Sequence, residues 1–234
     1  MDKKLKVAKI ILWALVPVVI IGVGYMSFYD SMYHAKKYTP TLKLPMKETS
    51  KYVVYGDVSN NGFIFYPEES VDYQAYEPIM HQIATRGVTC VLLKFPFNHP
   101  DFGKNYSSQV IEDINVSTWY LGGHGKGGEV ACSYLSNENS KVEGVVLLGS
   151  YATNKVDENI KGLSIIGTHD EVFDQDKYLE GKEYFTLYEE VILDGANHSG
   201  FGNYGKHKGD GEAQISQEQQ WKMVSDTIVW FING

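Results

Sequence analysis

The chain carries two cysteines among its 234 residues, Cys90 and Cys132. So few exclude a small disulfide-built scaffold. Both stand in apolar settings, Cys90 within Val88–Leu93 and Cys132 in a helix after Gly128, so two buried free thiols are expected rather than a bridge. Internal repeats and low-complexity tracts are missing, and 43% hydrophobic with 13% aromatic residues excludes disorder and collagen-like chains. Basic residues are scarce, 21 against 29 acidic ones. Residues 1–29 hold Lys3, Lys4, Lys6 and Lys9 against Asp2, leaving 17 basic and 28 acidic side chains beyond them. A body that acidic repels phosphate backbones, so no nucleic-acid partner is expected. The chain contains no His-x-x-x-His and no Cys-x-x-Cys. A set drawn from Asp170, Asp194, His198 and His207 lacks metal-ligand spacing, and the expectation is no metal. No cofactor is expected either. The run Gly122–Gly128 lacks the Gly-Lys-Ser/Thr ending of a phosphate loop. It fits a dinucleotide fingerprint only loosely.

One long apolar run is present. Ile10–Met26 holds 17 uncharged residues behind the four lysines. This reads as a membrane-inserting helix with its basic end in the cytoplasm, which puts the rest of the chain outside the cell membrane as a single-pass protein. A cleaved signal segment is the alternative, although no small-x-small site follows Gly22 or Gly24. A buried core helix is a third reading, disfavoured by lysines at one end only. Residues 30–50, with Pro40, Pro45 and several lysines, read as a linker, and residues 51–234 as one folded domain.

Within that domain short apolar runs alternate with amphipathic stretches. Strands are expected at Tyr52–Val58, Gly62–Tyr66, Val88–Leu93, Thr118–Leu121, Glu143–Gly149, Leu163–Gly167 and Tyr184–Leu193. Helices are expected at Tyr73–Thr85, around Tyr106–Ile114, at Lys126–Leu135 and at Ser216–Ile232, with a loop over Phe95–Gly103. This spacing gives an α/β fold, a mostly parallel sheet with helices on both faces. Sites in such sheets form at the carboxyl ends of the strands. The segments between strands are too short for a large cap.

Strand Thr118–Leu121 runs into Gly122-Gly123-His124-Gly125-Lys126-Gly127-Gly128, and a helix follows. That is the strand–turn–helix setting of a nucleophile elbow, Gly-x-Ser-x-Gly, with Gly123 and Gly127 at the outer positions. Asp170 follows strand Leu163–Gly167 and His198 follows the last strand. Nucleophile, acid and base in that chain order match a Ser-Asp-His triad. His169 lies beside the acid and before the final strand, so it is not the base. His124 packs beside the elbow without a chemical role.

On these residues the chain resembles the α/β hydrolases of the dienelactone-hydrolase-like group, in particular membrane-anchored bacterial members. The resemblance rests on Gly62-Phe63-Ile64-Phe65-Tyr66-Pro67, Lys94–Asn98, Gly122–Gly128, and Gly195–Gly205 continuing to Gly209-Asp210-Gly211-Glu212. It covers roughly residues 52–234. It implies an α/β-hydrolase fold, a small-molecule ester or acyl substrate, and catalytic positions 125 (nucleophile), Asp170 (acid) and His198 (base). The oxyanion hole would use the backbone N–H of Lys126 and a donor from the loop at Glu68.

Two departures stand out. Position 125 is glycine, which has no atom to attack a carbonyl. Three readings stay open: a nucleophile knockout of a competent hydrolase, a pseudoenzyme that binds a ligand on the same fold, and a catalyst using another group such as a His198-activated water. Ser150 and Ser199 lie off the elbow and read as ordinary loop hydroxyls. The oxyanion loop reads Pro67-Glu68-Glu69-Ser70 where similar members tend to carry glycine. It is read either as a solvated turn or as a damaged oxyanion hole. Lys94 and Asn98 are read equally as pocket lining or plain loop.

Overall fold

The computed structural model describes residues 3–136 and 141–234. The chain divides into two units, one ending at Met32 and the other running Tyr33–Gly234. The first is α1 (Lys3–Asp30), with Pro17 inside it. Its stretch Ile11–Asp30 is long and apolar enough to cross a membrane, and none of it is buried. A core helix would show the opposite burial.

In the second unit β1 (Met46–Glu48), β2 (Tyr52–Tyr55), β3 (Asn61–Tyr66), β4 (Thr89–Leu93), β5 (Thr118–His124), β6 (Val142–Leu148), β7 (Lys161–Gly167) and β8 (Leu187–Leu193) form one sheet. Its order is β1-β2-β4-β3-β5-β6-β7-β8. The pairs β1–β2 and β2–β4 are antiparallel, and every pair from β4 through β3 to β8 is parallel. Helices α2 (Glu77–Ala84), α3 (Tyr106–Asp113), α4 (Lys126–Leu135), α5 (Gln175–Lys182) and α6 (Gln217–Asn233) complete it.

Consecutive strand residues serve opposite faces, which explains the unbroken apolar runs. Phe63, Phe65, Cys90, Leu92, Val146 and Leu163 pack with Ile79, Trp221, Val224 and Ile228 of α2 and α6. Ile64, Tyr66, Val91, Leu93, Val145 and Leu147 pack with Val110, Val130, Ala131 and Cys132 of α3 and α4. The two cysteines are buried, free and on opposite sides of the sheet. Burial pushes both thiols up.

The segment read as a linker is joined to the domain. Tyr33 N–H donates to the Ser70 carbonyl at 2.8 Å, Lys36 N–H donates to the Asn203 carbonyl at 2.7 Å, and β1 adds an edge strand. The helix expected over Tyr73–Thr85 begins as a 3-10 turn at Tyr73–Tyr76, and Pro78 sits in the first turn of α2, where its missing N–H costs nothing.

Candidate functional site

The carboxyl ends of β3, β5, β7 and β8 bring together the residues singled out in the sequence. At the end of β5 the chain turns sharply, with Gly125 at φ 46° and ψ −119° as the residue capping α4. Glycine enters this region freely, whereas an L side chain there is strained. A side chain at Gly127 would meet the Tyr66 carbonyl at 2.2 Å, and one at Gly123 would meet the Gly128 amide at 2.4 Å. The outer glycines of the elbow are therefore steric necessities. The backbone holds the geometry of a nucleophile elbow with no side chain at its apex.

Asp170 and His198 stand in contact, Nδ1 of the imidazole 2.9 Å from Oδ2 of the carboxylate. The other Asp170 oxygen accepts N–H bonds from Val172 and Phe173 at 3.1 and 3.0 Å, which fixes the carboxylate's rotation. His198 is held from behind by Asp210, whose carboxylate accepts from His198 N–H (3.3 Å), Ser199 N–H (2.7 Å), Gly211 N–H (2.9 Å) and the Ser199 hydroxyl. Gln220 of α6 adds a second clamp. Its Nε2 donates to the Asn197 carbonyl at 2.8 Å and its Oε1 accepts from the Asn197 N–H at 3.3 Å. These contacts give the Gly-Asp-Gly block and α6 a physical role that no spacing in the sequence revealed.

Glu68 behaves unlike a solvated turn residue. It is 9% exposed and aims inward, while Glu69 remains near solvent and pairs with His99 at 2.9 Å. The Glu68 carboxylate lies where the missing side chain would be: a Cβ on Gly125 would stand 1.3 Å from its Oε2. Oε1 accepts from Glu69 N–H at 2.8 Å and from Lys126 N–H at 3.1 Å, the latter shared with Oε2 at 3.2 Å. The carboxylate thus takes the first amide of α4, where helix polarity favours negative charge. The Glu68 N–H donates to the Tyr76 hydroxyl at 3.2 Å. Of the two amides expected to form an oxyanion hole, one holds Glu68's own carboxylate and the other holds a tyrosine.

Oε2 of Glu68 also lies 3.6 Å from Nε2 of His198. Burial alone would lower the imidazole's pKa. Hydrogen bonding to Asp170, with the negative charges of Asp170 and Glu68, outweighs it and raises the value from 6.5 to about 9. His124, fully buried, is pushed well below the ordinary range by burial and then by His198 and His207. Since His198 is raised in the folded state, the stability it contributes is complete below its unfolded value near 6.5 and is lost as pH rises through about 9. Thermal melts should therefore shift downward between about pH 7 and 9 in the parent chain, and the shift should flatten in His198→Gln. An equally steep loss in that variant would remove the assignment.

The remaining candidates lie elsewhere or serve structure. The Ser150 hydroxyl donates to the Gly125 carbonyl at 2.6 Å, and Ser199 is bound to Asp210. Lys94 reaches Glu48 at 2.7 Å, away from the elbow, and Asn98 donates to Asp72 at 2.9 Å.

A model described as the alpha/beta hydrolase family matches residues 62–222. No curated protein sequence matches the chain. Among solved structures it is similar to the monoacylglycerol lipase of Paleococcus ferrophilus, at 12% identity and TM-score 0.60 over 80% of this chain and 99% of that one. It is similar to Est1E of Butyrivibrio proteoclasticus, at 11% identity and TM-score 0.57 over 82% and 99%. The Francisella virulence factor BioJ gives 13% identity and TM-score 0.63 over 84% and 86%. At these identities the likeness is one of fold.

Proposed function

The chain belongs to the alpha/beta hydrolase family, and from that we propose that it is a membrane-anchored, extracytoplasmic member built on a carboxylic-ester hydrolase site whose serine route is closed. The observation that carries this reading is the Glu68 carboxylate, seated in the space of the serine side chain and on the Lys126 amide. A developing oxyanion needs that amide, and a carboxylate already on it repels a second negative oxygen. The base and the acid keep their places in this proposal, His198 as the residual base and Asp170 as its orienting partner. The absence of any attacking atom at Gly125 leaves them without a nucleophile to serve. The site then acts as a ligand-binding centre on a hydrolase fold, without an acyl-enzyme. Anchoring rests on α1 and its basic start, and the outward orientation on the lysine bias.

The proposal is tested on the full chain in detergent with short-chain nitrophenyl esters. Hydrolysis should stay at the buffer rate and be unaffected by His198→Gln. A parent rate well above buffer that falls tenfold or more in His198→Gln would replace this reading with a water-activating hydrolase.

A further inference from the structure

We propose that Glu68, His124 and His198 form a binding site for one divalent first-row transition-metal ion, with Zn²⁺ as the reference ligand. Each residue comes from a different strand end: Glu68 after β3, His124 at the end of β5 and His198 after β8. One donor atom from each lies within 4.8 Å of the others, and all three residues are buried. The Glu68 Oε2 to His198 Nε2 distance, 3.6 Å, is long for a hydrogen bond. It is close to the separation of about 3.4 Å that two ligands at roughly 2.0–2.1 Å take around a tetrahedral ion.

A second, independent observation points the same way. Nε2 of His124 is fully buried and has no hydrogen-bond partner among the described residues. A buried ring nitrogen left unpaired is expensive and rare, and it marks a place where a ligand completes the structure. The far sides of both imidazoles are already fixed. His198 Nδ1 is held by Asp170 at 2.9 Å, the carboxylate–histidine contact that orients metal ligands. His124 Nδ1 lies 2.9 Å from the Tyr76 hydroxyl. The site requires the Nδ1–H tautomer of His124, donating to the Tyr76 hydroxyl, which leaves a lone pair on Nε2.

Two imidazoles and one carboxylate suit zinc and its first-row neighbours. Magnesium and calcium prefer all-oxygen sites. The charges agree as well, since Glu68 and Asp170 set two carboxylates around this centre. The inference rests on donor geometry, so it stands or falls apart from the silence toward esters proposed above.

The test uses the full chain in detergent, stripped with chelator and titrated calorimetrically with ZnCl₂, with Co²⁺ as a visible probe. The expected result is one ion per chain and cobalt bands typical of nitrogen–oxygen ligation. Glu68→Gln and His124→Gln should each weaken binding by at least about 10–100-fold, and Asp170→Asn by about as much. His169→Gln, outside the cluster, should leave it unchanged. Gly125→Ser supplies a route that changes none of the three ligand residues: its Cβ would stand 1.3 Å from Oε2, so Glu68 must move off and affinity must fall. No stoichiometric Zn²⁺ or Co²⁺ binding by the stripped parent chain would overturn the proposal. So would binding that survives both Glu68→Gln and Gly125→Ser.

Discussion

Gly125→Ser alone will not hydrolyse a nitrophenyl ester, whereas Gly125→Ser combined with Glu68→Gly will. The two positions are coupled by space and by charge. A side chain at 125 would collide with the Glu68 carboxylate, and that carboxylate sits on the Lys126 amide the reaction needs. Restoring the hydroxyl supplies the attacking oxygen, but the displaced carboxylate stays beside the Lys126 amide, where its charge repels a developing oxyanion. Removing Glu68 as well frees the amide and leaves the Asp170–His198 pair to take the proton. An oxyanion donor is worth about 100- to 1,000-fold in kcat, and the double variant should exceed the single by that factor. Labelling with a fluorophosphonate should follow the same order. A single variant as active as the double would show that Glu68 swings aside freely and that Gly125 alone disables the site.

The largest loss of stability is expected from Asp210→Ala. Three backbone N–H groups and the Ser199 hydroxyl converge on this 4% exposed carboxylate. Removal leaves several buried donors unpaired at once, costing about 3 kcal/mol or more. For a domain of this size that corresponds to a fall of about 6–12 °C in the melting temperature. Asp210→Asn keeps one acceptor oxygen and should lose roughly half as much. Asp226→Ala provides the contrast. Its pairs with Arg86 and Lys222 lie near the surface, and about 1 kcal/mol or less is expected. Equal losses in Asp210→Ala and Asp226→Ala would deny Asp210 its place as the clamp on the His198 turn.

How far the sequence could be read depends on where the physics is local. Val88–Leu93 and Glu143–Gly149 announce strands because both faces of the sheet are covered, and every residue along them must be apolar or small. Lys126–Leu135 is legible because an elbow and a helix must follow β5. β1 could not be read this way, since Met46, Lys47 and Glu48 are all exposed and show no alternation. α5 escaped for a similar reason: in Gln-Asp-Lys-Tyr-Leu-Glu-Gly-Lys only Tyr178 and Gly181 are buried, too few to make a stripe. That Asp170 and His198 meet follows from their places just beyond β7 and β8, neighbours in the sheet. The inward turn of Glu68 could not be foreseen, because its cause lies 57 residues away, in the room left by Gly125. A Glu-Glu pair beside a proline looks like any wet turn until that vacancy is seen in three dimensions. The bare Nε2 of His124 is hidden from sequence in the same way. It depends on which neighbours do not reach it.

Cys90 and Cys132 lie on opposite sides of the sheet. No backbone motion short of unfolding lets their sulfurs meet, because a bridge needs Cα atoms within about 7 Å and side chains that face one another. The native state therefore has no disulfide to acquire in an oxidising compartment and none to lose in a reducing one. Its fold is therefore indifferent to the redox poise of its surroundings.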